Sequence, residues 1–329
     1  MKLADFRLPA EWEAQDALIM AWPTAGTDWH PVLDRIQHDY LTILDIARAH
    51  QPVILLVDEN DDDAERILGR RDGLETVRLR YNDTWCRDYG PLVMCSEGRR
   101  LALDFHFNGW GGKFEARLDN RVNASLAALP RFSDFEFRQS LFELEGGAIE
   151  GDGRTTLLIN RHCFRSRHPH LDDAEVEEQL KTWFNVTHLI EIDMPPMPGD
   201  DTDGHIDTLV RFAGTGRLVF QEQRDPGATR TLLGQLEALR DADDRPFELV
   251  SMPVPEDVDA ALPASYVNYI VVNGAVILPQ FGSRCDQRAI GIAAELFEDR
   301  EIHGVDAVVM AGQGGGPHCA SMHIPADLP

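Results

Sequence analysis

The 329-residue sequence has no apolar run approaching the roughly 18 residues that cross a bilayer. Residues 1–15, MKLADFRLPAEWEAQ, contain no apolar segment of the signal-peptide kind. Neither membrane insertion nor secretion is therefore expected. There is no CxxC pair, and the five cysteines, Cys86, Cys95, Cys163, Cys285 and Cys319, are odd in number and irregular in spacing. That excludes a disulfide framework and a zinc ribbon and points to a reduced, cytoplasmic protein. Positive charge is scarce: 31 Lys and Arg stand against 56 Asp and Glu, a net charge of −25. Binding to a nucleic-acid backbone needs clustered Lys and Arg, so no nucleic-acid partner is expected. The acid excess suits a cationic ligand, although most surface acid serves only solubility. No Ser/Gly linker and no low-complexity tract interrupts the chain. The proline-rich residues 194–198 are the best boundary candidate, but they are few and sit between a strand and a motif. They read as a loop inside one domain covering residues 1–329.

What is present is an ordinary globular background. Hydrophobic residues make up 43%, enough for a sizeable core. Helical spacing of apolar residues marks 32–50, with Ile36, Tyr40, Ile43, Leu44 and Ala47 on one face. Further helices are expected over 61–68 (capped by Asn60), 114–129, 172–184, 228–240 and 286–296. Strands are expected over 52–57, 76–80, 92–95, 100–105, 155–159, 188–192, 205–212, 218–221, 247–250, 267–272, 275–278 and 307–310. This mixture is α/β or α+β, without clean alternation. Two or three short strands accompany each helix, and about five such groups fit the length, which suggests a cyclic repeat.

Four polar motifs stand out. Asn82-Asp83-Thr84-Trp85-Cys86-Arg87-Asp88-Tyr89-Gly90-Pro91 packs acids, an arginine and aromatics between two strands, or is a charged turn closed by Gly-Pro. Leu144-Glu145-Gly146-Gly147 places an acid before two glycines, which a plain hairpin would also do. Asp200-Asp201-Thr202-Asp203-Gly204-His205-Ile206-Asp207 sets His205 and Asp207 two apart, on one face if the segment is a strand. Its acids and histidine also suggest a metal site, but no second histidine cluster follows at ligand spacing, so no metal or cofactor is expected. His162, His168 and His170 form only a loose group in a basic loop. Gly312-Gln313-Gly314-Gly315-Gly316-Pro317-His318-Cys319 carries glycines that let a ligand approach the main chain, ending on a thiol. A flexible segment with an incidental cysteine would look similar.

Thiol, histidine and carboxylates together suggest nucleophilic catalysis with a histidine acid/base. Unpaired carboxylates raise a thiol's pKa and suppress thiolate. The arrangement makes sense when the substrate is itself a cation: carboxylates clamp a guanidinium bidentately, and its charge then favours thiolate beside the reacting carbon.

The motifs WxRDxGP, LEGG, DGHID and GGGxxHC, in this order, resemble those of the agmatine deiminases within the Porphyromonas-type peptidylarginine deiminase family and the wider guanidine-modifying superfamily. MAWP at residues 20–23, FNGWGGKF at 107–114 and SYVNYIVVNGAVILP at 265–279 agree, and the resemblance covers about residues 8–325. It implies an α/β, five-bladed pseudo-symmetric propeller, the pentein fold, with the active site on its axis. It also implies metal-free, cofactor-free hydrolysis of agmatine to N-carbamoylputrescine and ammonia, in polyamine biosynthesis or agmatine catabolism. Cys319 takes the nucleophile's place and His205 that of the acid/base. Asp88 and Asp207 fall where guanidinium-binding acids lie, and Glu145 where a supporting acid lies. Trp85, Gly316 and the loop acids Asp200, Asp201 and Asp203 are the expected substrate contacts, one of the acids holding the distal amine. Gly316-Pro317 departs from the Asn-Ile that many members carry there. The implied partner is a small cationic guanidine; a homo-oligomer stays open, since no interface pattern stands out. Free or peptidyl arginine is an alternative substrate, with Arg161, Arg165 and Arg167 as candidates for an α-carboxylate. A non-catalytic cation-binding protein on the same scaffold is the other alternative.

Overall fold

The structure is a computed structural model that describes residues 3–327. The sixteen strands among those residues are short, and their pairing repeats one scheme five times. β4 (Leu92–Ser96) pairs antiparallel with β5 (Arg99–His106), which pairs parallel with β6 (Phe135–Glu143). The scheme recurs in β7 (Ile149–Gly151), β8 (Thr156–Asn160) and β9 (His188–Ile192). It recurs again in β10 (Val210–Phe212), β11 (Arg217–Gln221) and β12 (Glu248–Met252). β13 (Ile270–Val272), β14 (Ala275–Gln280) and β15 (Glu301–Asp306) form the fourth such sheet. The fifth is closed by both ends of the chain. β16 (Ser321–Pro325) pairs antiparallel with β1 (Gln15–Ala21), followed in parallel by β2 (Val53–Val57) and β3 (Leu74–Arg78).

A parallel neighbour requires a crossover connection, and a helix supplies it each time. The six are Leu33–His50, Ala64–Leu68, Val122–Ala127, Asp173–Phe184, Pro226–Ala238 and Asp286–Leu296. Two have clear starts. Asp172 and Glu175 form a reciprocal capping box, and Asp225 accepts the Gly227 and Ala228 N–H groups ahead of Pro226. The middle strands β2 and β8 are buried at every position, as strands covered on both faces should be. No helix among the described residues is long and apolar enough to cross a membrane.

The first strands of the sheets face one another: β4 contacts β16, and β7 contacts β10. They therefore surround a common axis, giving the five-bladed arrangement. The chain returns to this axis in five loops, residues 79–91, 144–148, 193–209, 253–269 and 307–320, each running from an outer strand to the next inner one.

Several elements differ from the sequence reading. Residues 307–310 are not a strand: β15 lies just before them, and Val308–Ala311 is a helical turn. The Asp306 carboxylate accepts the Val308 N–H, starting that turn. The helix expected over 114–129 contracts to Val122–Ala127 after a 3-10 turn at Asp119–Arg121, because Asn82 and Asp119 tie the preceding segment to the loop 79–91. Asn60 caps nothing; Asp61 accepts the Ala64 N–H at the start of Ala64–Leu68. The strand expected over 205–212 begins only at Val210, and Ile206–Thr208 is a 3-10 turn. β1, β6, β7, β15 and β16 are additional strands.

Candidate active site

Each axial loop delivers one or two polar side chains within five residues of the strand it enters: Asp88, Glu145, His205 with Asp207, Asn268 and Cys319. All six residues are buried. Two of the loops are tied directly, since the Arg87 N–H donates to the Cys319 carbonyl at 3.1 Å.

Asp88 is fixed through both oxygens. Oδ1 accepts the Gly147 N–H at 3.0 Å, and Oδ2 accepts the Trp110 Nε1–H at 2.9 Å. Trp110 reaches it from a left-handed backbone position, φ 55° and ψ 50°, between glycines that are also at positive φ. Asp207 is fixed through one oxygen. Oδ2 lies 2.7 Å from His318 Nδ1, and Oδ1, buried, has no hydrogen-bond partner. His205 lies in an acid cage, with Nδ1 3.7 Å from Asp88 Oδ1 and Nε2 3.7 Å from Glu145 Oε2. Those distances allow charge attraction but no hydrogen bond, and both ring nitrogens lack a partner. Glu145 Oε1 accepts from Arg167 Nε at 2.5 Å. Cys319 Sγ lies 3.2 Å from Asn268 Nδ2 and 3.5 Å from Asp207 Oδ2. Gly147 makes this packing possible: a Cβ there would lie 2.6 Å from His205 Nδ1 and about 3 Å from Asp88 Oδ1 and Asp207 Oδ2.

The charges follow from this geometry. Burial opposes the imidazolium, but Asp88, Cys163 and Glu145 outweigh it and hold His205 well above the usual imidazole range. Burial raises Asp88 to about 6, with His205 opposing and Asp207 and Glu145 reinforcing the shift. Asp207 stays below its ordinary value despite burial, because His318 bonds it. Burial, then Asp207 and Asp88, push the Cys319 thiol well above its usual value. The site thus pairs a protonated imidazole and a neutral thiol with ionised carboxylates.

A cavity of about 520 Å³ opens onto Cys319 and Asp88. Trp85, Trp110 and Phe114 give it aromatic walls, the glycine-rich segment 312–315 another side, and Asp28, Asp83 and Asp201 further acid. Neither Lys, Arg nor His lines it among the described residues. His205, Glu145 and Asp207 do not line the cavity; they lie behind Asp88 and Cys319, fully buried.

Of the expected substrate contacts, Trp85 and Asp201 line the cavity, and three residues do not. The Asp200 carboxylate accepts the Thr202 N–H and hydroxyl and the Gly204 N–H, holding the turn that leads to His205. The Asp203 carboxylate is taken by Lys113, Arg167 and Ser166. Gly316 backs onto Asn268, while Gly315 lies against the Trp85 ring, 2.7 Å from where its Cβ would be. The metal reading of Asp203, His205 and Asp207 loses its first member to those cations. Glu145, Cys163 and His205 do bring donor atoms within 4.8 Å of one another, but Arg167 already occupies Glu145. The candidate α-carboxylate partners also point elsewhere: Arg161 pairs with Glu191 and Asp173, Arg165 with Asp173 and Asp193, and Arg167 with Glu145 and Asp203.

Sequence reasoning missed Asn268, Trp110 and Gly147 as site residues, and took Arg167 for a carboxylate-binding candidate where it is the partner of Glu145. Asn268 and Trp110 sit within segments already noted for their resemblance, and Gly147 within a motif. Arg167 offered no signal of its partnership with Glu145.

Comparison with known proteins agrees with this geometry. The sequence profile of the Porphyromonas-type peptidyl-arginine deiminase family matches residues 7–325. The agmatine deiminase of Pseudomonas aeruginosa (strain LESB58) is 29% identical over 356 residues, covering 98% of this chain and 96% of that one. The C. jejuni agmatine deiminase superposes with a TM-score of 0.88 at 30% identity, covering 98% of this chain and 97% of that chain. A cysteine-to-serine variant of the C. jejuni enzyme with substrate bound gives 0.91 at 29% identity, with the same coverage. DDAH from P. aeruginosa, 13% identical with a TM-score of 0.51, shares the fold alone. Five mixed sheets around an axial thiol, matched along nearly the whole chain, place this protein in the Porphyromonas-type peptidyl-arginine deiminase family, among its agmatine deiminase-like guanidine-modifying hydrolases.

Proposed function

We propose that this protein hydrolyses agmatine to N-carbamoylputrescine and ammonia, with residues 1–329 acting as one catalytic unit; residues 1, 2, 328 and 329 lie outside the described residues. The observation that carries the reading is the set of buried polar atoms without partners beside Asp88 and the thiol: Asp207 Oδ1, whose carboxylate lies 3.5 Å from Cys319 Sγ, and both His205 nitrogens, one of them 3.7 Å from Asp88. Burying an unpaired polar group costs roughly 1–3 kcal/mol, so three together at one cluster of acids beside the thiol argue for a polar ligand that completes them. A guanidinium has the matching chemistry, with a positive charge and N–H donors in one plane.

In the proposed reaction Asp88 and Asp207 hold that plane in front of Cys319. The positive charge offsets both acids, which otherwise keep the thiol protonated. As the guanidinium binds, the Cys319 thiol gives its proton to solvent; the thiolate attacks the guanidinium carbon, a C–S bond forms, and the C=N electron pair moves onto nitrogen. His205, held protonated, donates to one terminal nitrogen, the C–N bond breaks, and ammonia leaves. The remaining thiouronium is attacked by water, whose proton returns to His205. The C–S bond then breaks as the adduct's hydroxyl proton passes to sulfur, restoring the thiol and releasing the urea product. Glu145 holds the imidazolium between turnovers.

The acids on the cavity wall support agmatine over free arginine. An α-carboxylate would face Asp28, Asp83 and Asp201, with no lining cation among the described residues to receive it. The distal ammonium of agmatine suits the same wall. The test is ammonia release from agmatine, arginine and a blocked arginine peptide, with Cys319→Ser as control. Agmatine should be preferred by at least about 10²-fold in kcat/KM, and the Ser variant should be inactive. Preference for arginine, or turnover in the Ser variant, overturns the reading.

A further inference from the structure

Behind Cys319 lies a second charged group, buried and unused in the steps above. His318 Nδ1 is 2.7 Å from Asp207 Oδ2, and its Nε2 is 2.8 Å from Glu11 Oε1. Both neighbours are carboxylate oxygens, which when ionised only accept. Both contacts are hydrogen bonds only when each ring nitrogen carries a hydrogen. Glu11 is itself clamped: Arg87 Nη1 lies at 2.8 Å, Arg211 Nη2 at 2.5 Å and His323 Nδ1 at 3.3 Å. Arg211 is also paired with Glu150. These residues belong to separate elements: Glu11 to the segment before β1, Arg87 to the loop 79–91, Arg211 to β10 and His318 to the last axial loop.

Position in the chain gives the cluster its meaning. Arg87 immediately precedes Asp88, and His318 immediately precedes Cys319. His318 is 1% exposed, so it is no surface ion pair. Among the described residues it is the sole hydrogen-bond partner of Asp207 Oδ2 other than the Cys319 thiol. Removing it would leave the acid free to rotate beside the sulfur.

We infer that His318 and Glu11 are positioning residues: Glu11 fixes the far nitrogen of His318, and His318 thereby holds Asp207 so that its free oxygen meets the guanidinium while its charge beside Cys319 Sγ is partly compensated. The inference rests on the proposed role of Asp207, and its test includes a readout that needs no substrate.

Four variants decide it: Glu11→Gln, His318→Phe, His318→Asn and the double Glu11→Gln/His318→Phe. Concentrations are set by titrating folded protein rather than total protein. His318→Phe removes both bonds and should lower kcat/KM for agmatine by roughly 10- to 100-fold, with KM raised and kcat lowered. His318→Asn offers an amide N–H near the Nδ1 position and should recover part of that loss. Glu11→Gln alone should cost several-fold, yet nothing further once His318 is Phe, because there is no ring left to hold. Losses that multiply in the double variant, or equal losses for Asn and Phe, overturn the inference. Should Glu11→Gln fail to fold, the Asn and Phe pair decides alone. Iodoacetamide alkylation of Cys319 without substrate should slow several-fold in His318→Phe, since Asp207 then bears uncompensated on the sulfur. Unchanged alkylation overturns the link to the nucleophile even if agmatine proves not to be the substrate.

Discussion

Gly147 has no side chain, and His205, Asp88 and Asp207 close on the space a β-carbon would take there. Its backbone is not among the positive-φ positions, so alanine is conformationally acceptable there. What alanine adds is a methyl 2.6 Å from His205 Nδ1 and 3.1 Å from Asp207 Oδ2, with no flexible side-chain end to yield. Gly147→Ala should therefore keep a cooperative thermal transition and lose on the order of 10²-fold or more in kcat/KM. Near-normal turnover would show that the acids are not held where the structure places them. Asp88 gives a second residue-level expectation, from pH. Its carboxyl is raised to about 6, first by burial, with His205 opposing. A protonated Asp88 offers no charge to a guanidinium, so kcat/KM for agmatine should fall as pH drops through about 6. Asp88→Asn should abolish that acid limb and lower the plateau. A limb that persists unchanged in the variant belongs to another group.

The loops, more than the strands, are the elements that carry chemistry here, and they are held by buried polar ties. Asp119 Oδ1 accepts the Asn82 and Asp83 N–H groups at 2.7 and 3.2 Å, anchoring the loop that ends in Asp88. Its Oδ2 has no partner, and burial first, then Asp83 and Glu115, against the two backbone N–H bonds, raises the group to about 8. The folded protein therefore holds this proton more tightly than the unfolded chain, whose carboxyl titrates near 3.9. Stability from neutral Asp119 is complete below about pH 4 and is lost as pH rises through about 8. Asp119→Asn keeps the accepting oxygen and removes the titration. Relative to the parent it should gain at least about 1 kcal/mol between pH 5 and 9, read from urea unfolding; parallel curves would refute this. Elements with strong local periodicity were legible from sequence: Asp286–Leu296 and His188–Ile192 fall where apolar spacing puts them. Residues 307–310 were not, because a four-residue apolar run fits strand and helix alike, and only the Asp306 carboxylate starts the turn. β6 was missed as a half-exposed edge strand with a weak pattern. His205 and Asp207 were found by residue type, although the shared strand face that linked them is a 3-10 turn. Asn268 and Glu11 could not be found from spacing, since the His318–Glu11 contact spans 307 residues and exists only through closure of the ring.

At the scale of the whole molecule, the chain's two ends meet in one sheet, β16 beside β1, and that closure brings Cys319 to an axis shared with Asp88. The axis is acidic in a molecule already at −25. Asp28, Asp83, Asp88 and Asp201 line the cavity with no lining cation among the described residues, so the local and global fields have the same sign. Agmatine at neutral pH is a dication, and a cleft of one sign concentrates the opposite charge and speeds its capture. Salt screens such a field over roughly 10 Å at 0.1 M ionic strength and about 30 Å at 0.01 M. Raising ionic strength from about 0.02 to 0.3 M should therefore lower kcat/KM for agmatine several-fold, mainly through KM. A simple alkylguanidine, with one charge, should show about half that slope on a logarithmic scale. Asp201→Asn should reduce the slope for agmatine while leaving that for the alkylguanidine nearly unchanged, because Asp201 lies on the wall proposed to receive the distal ammonium. Equal slopes for both substrates would place the distal ammonium outside the acidic wall. Flat profiles for both would mean that capture depends only on the buried carboxylates, leaving the outer acid excess to solubility alone.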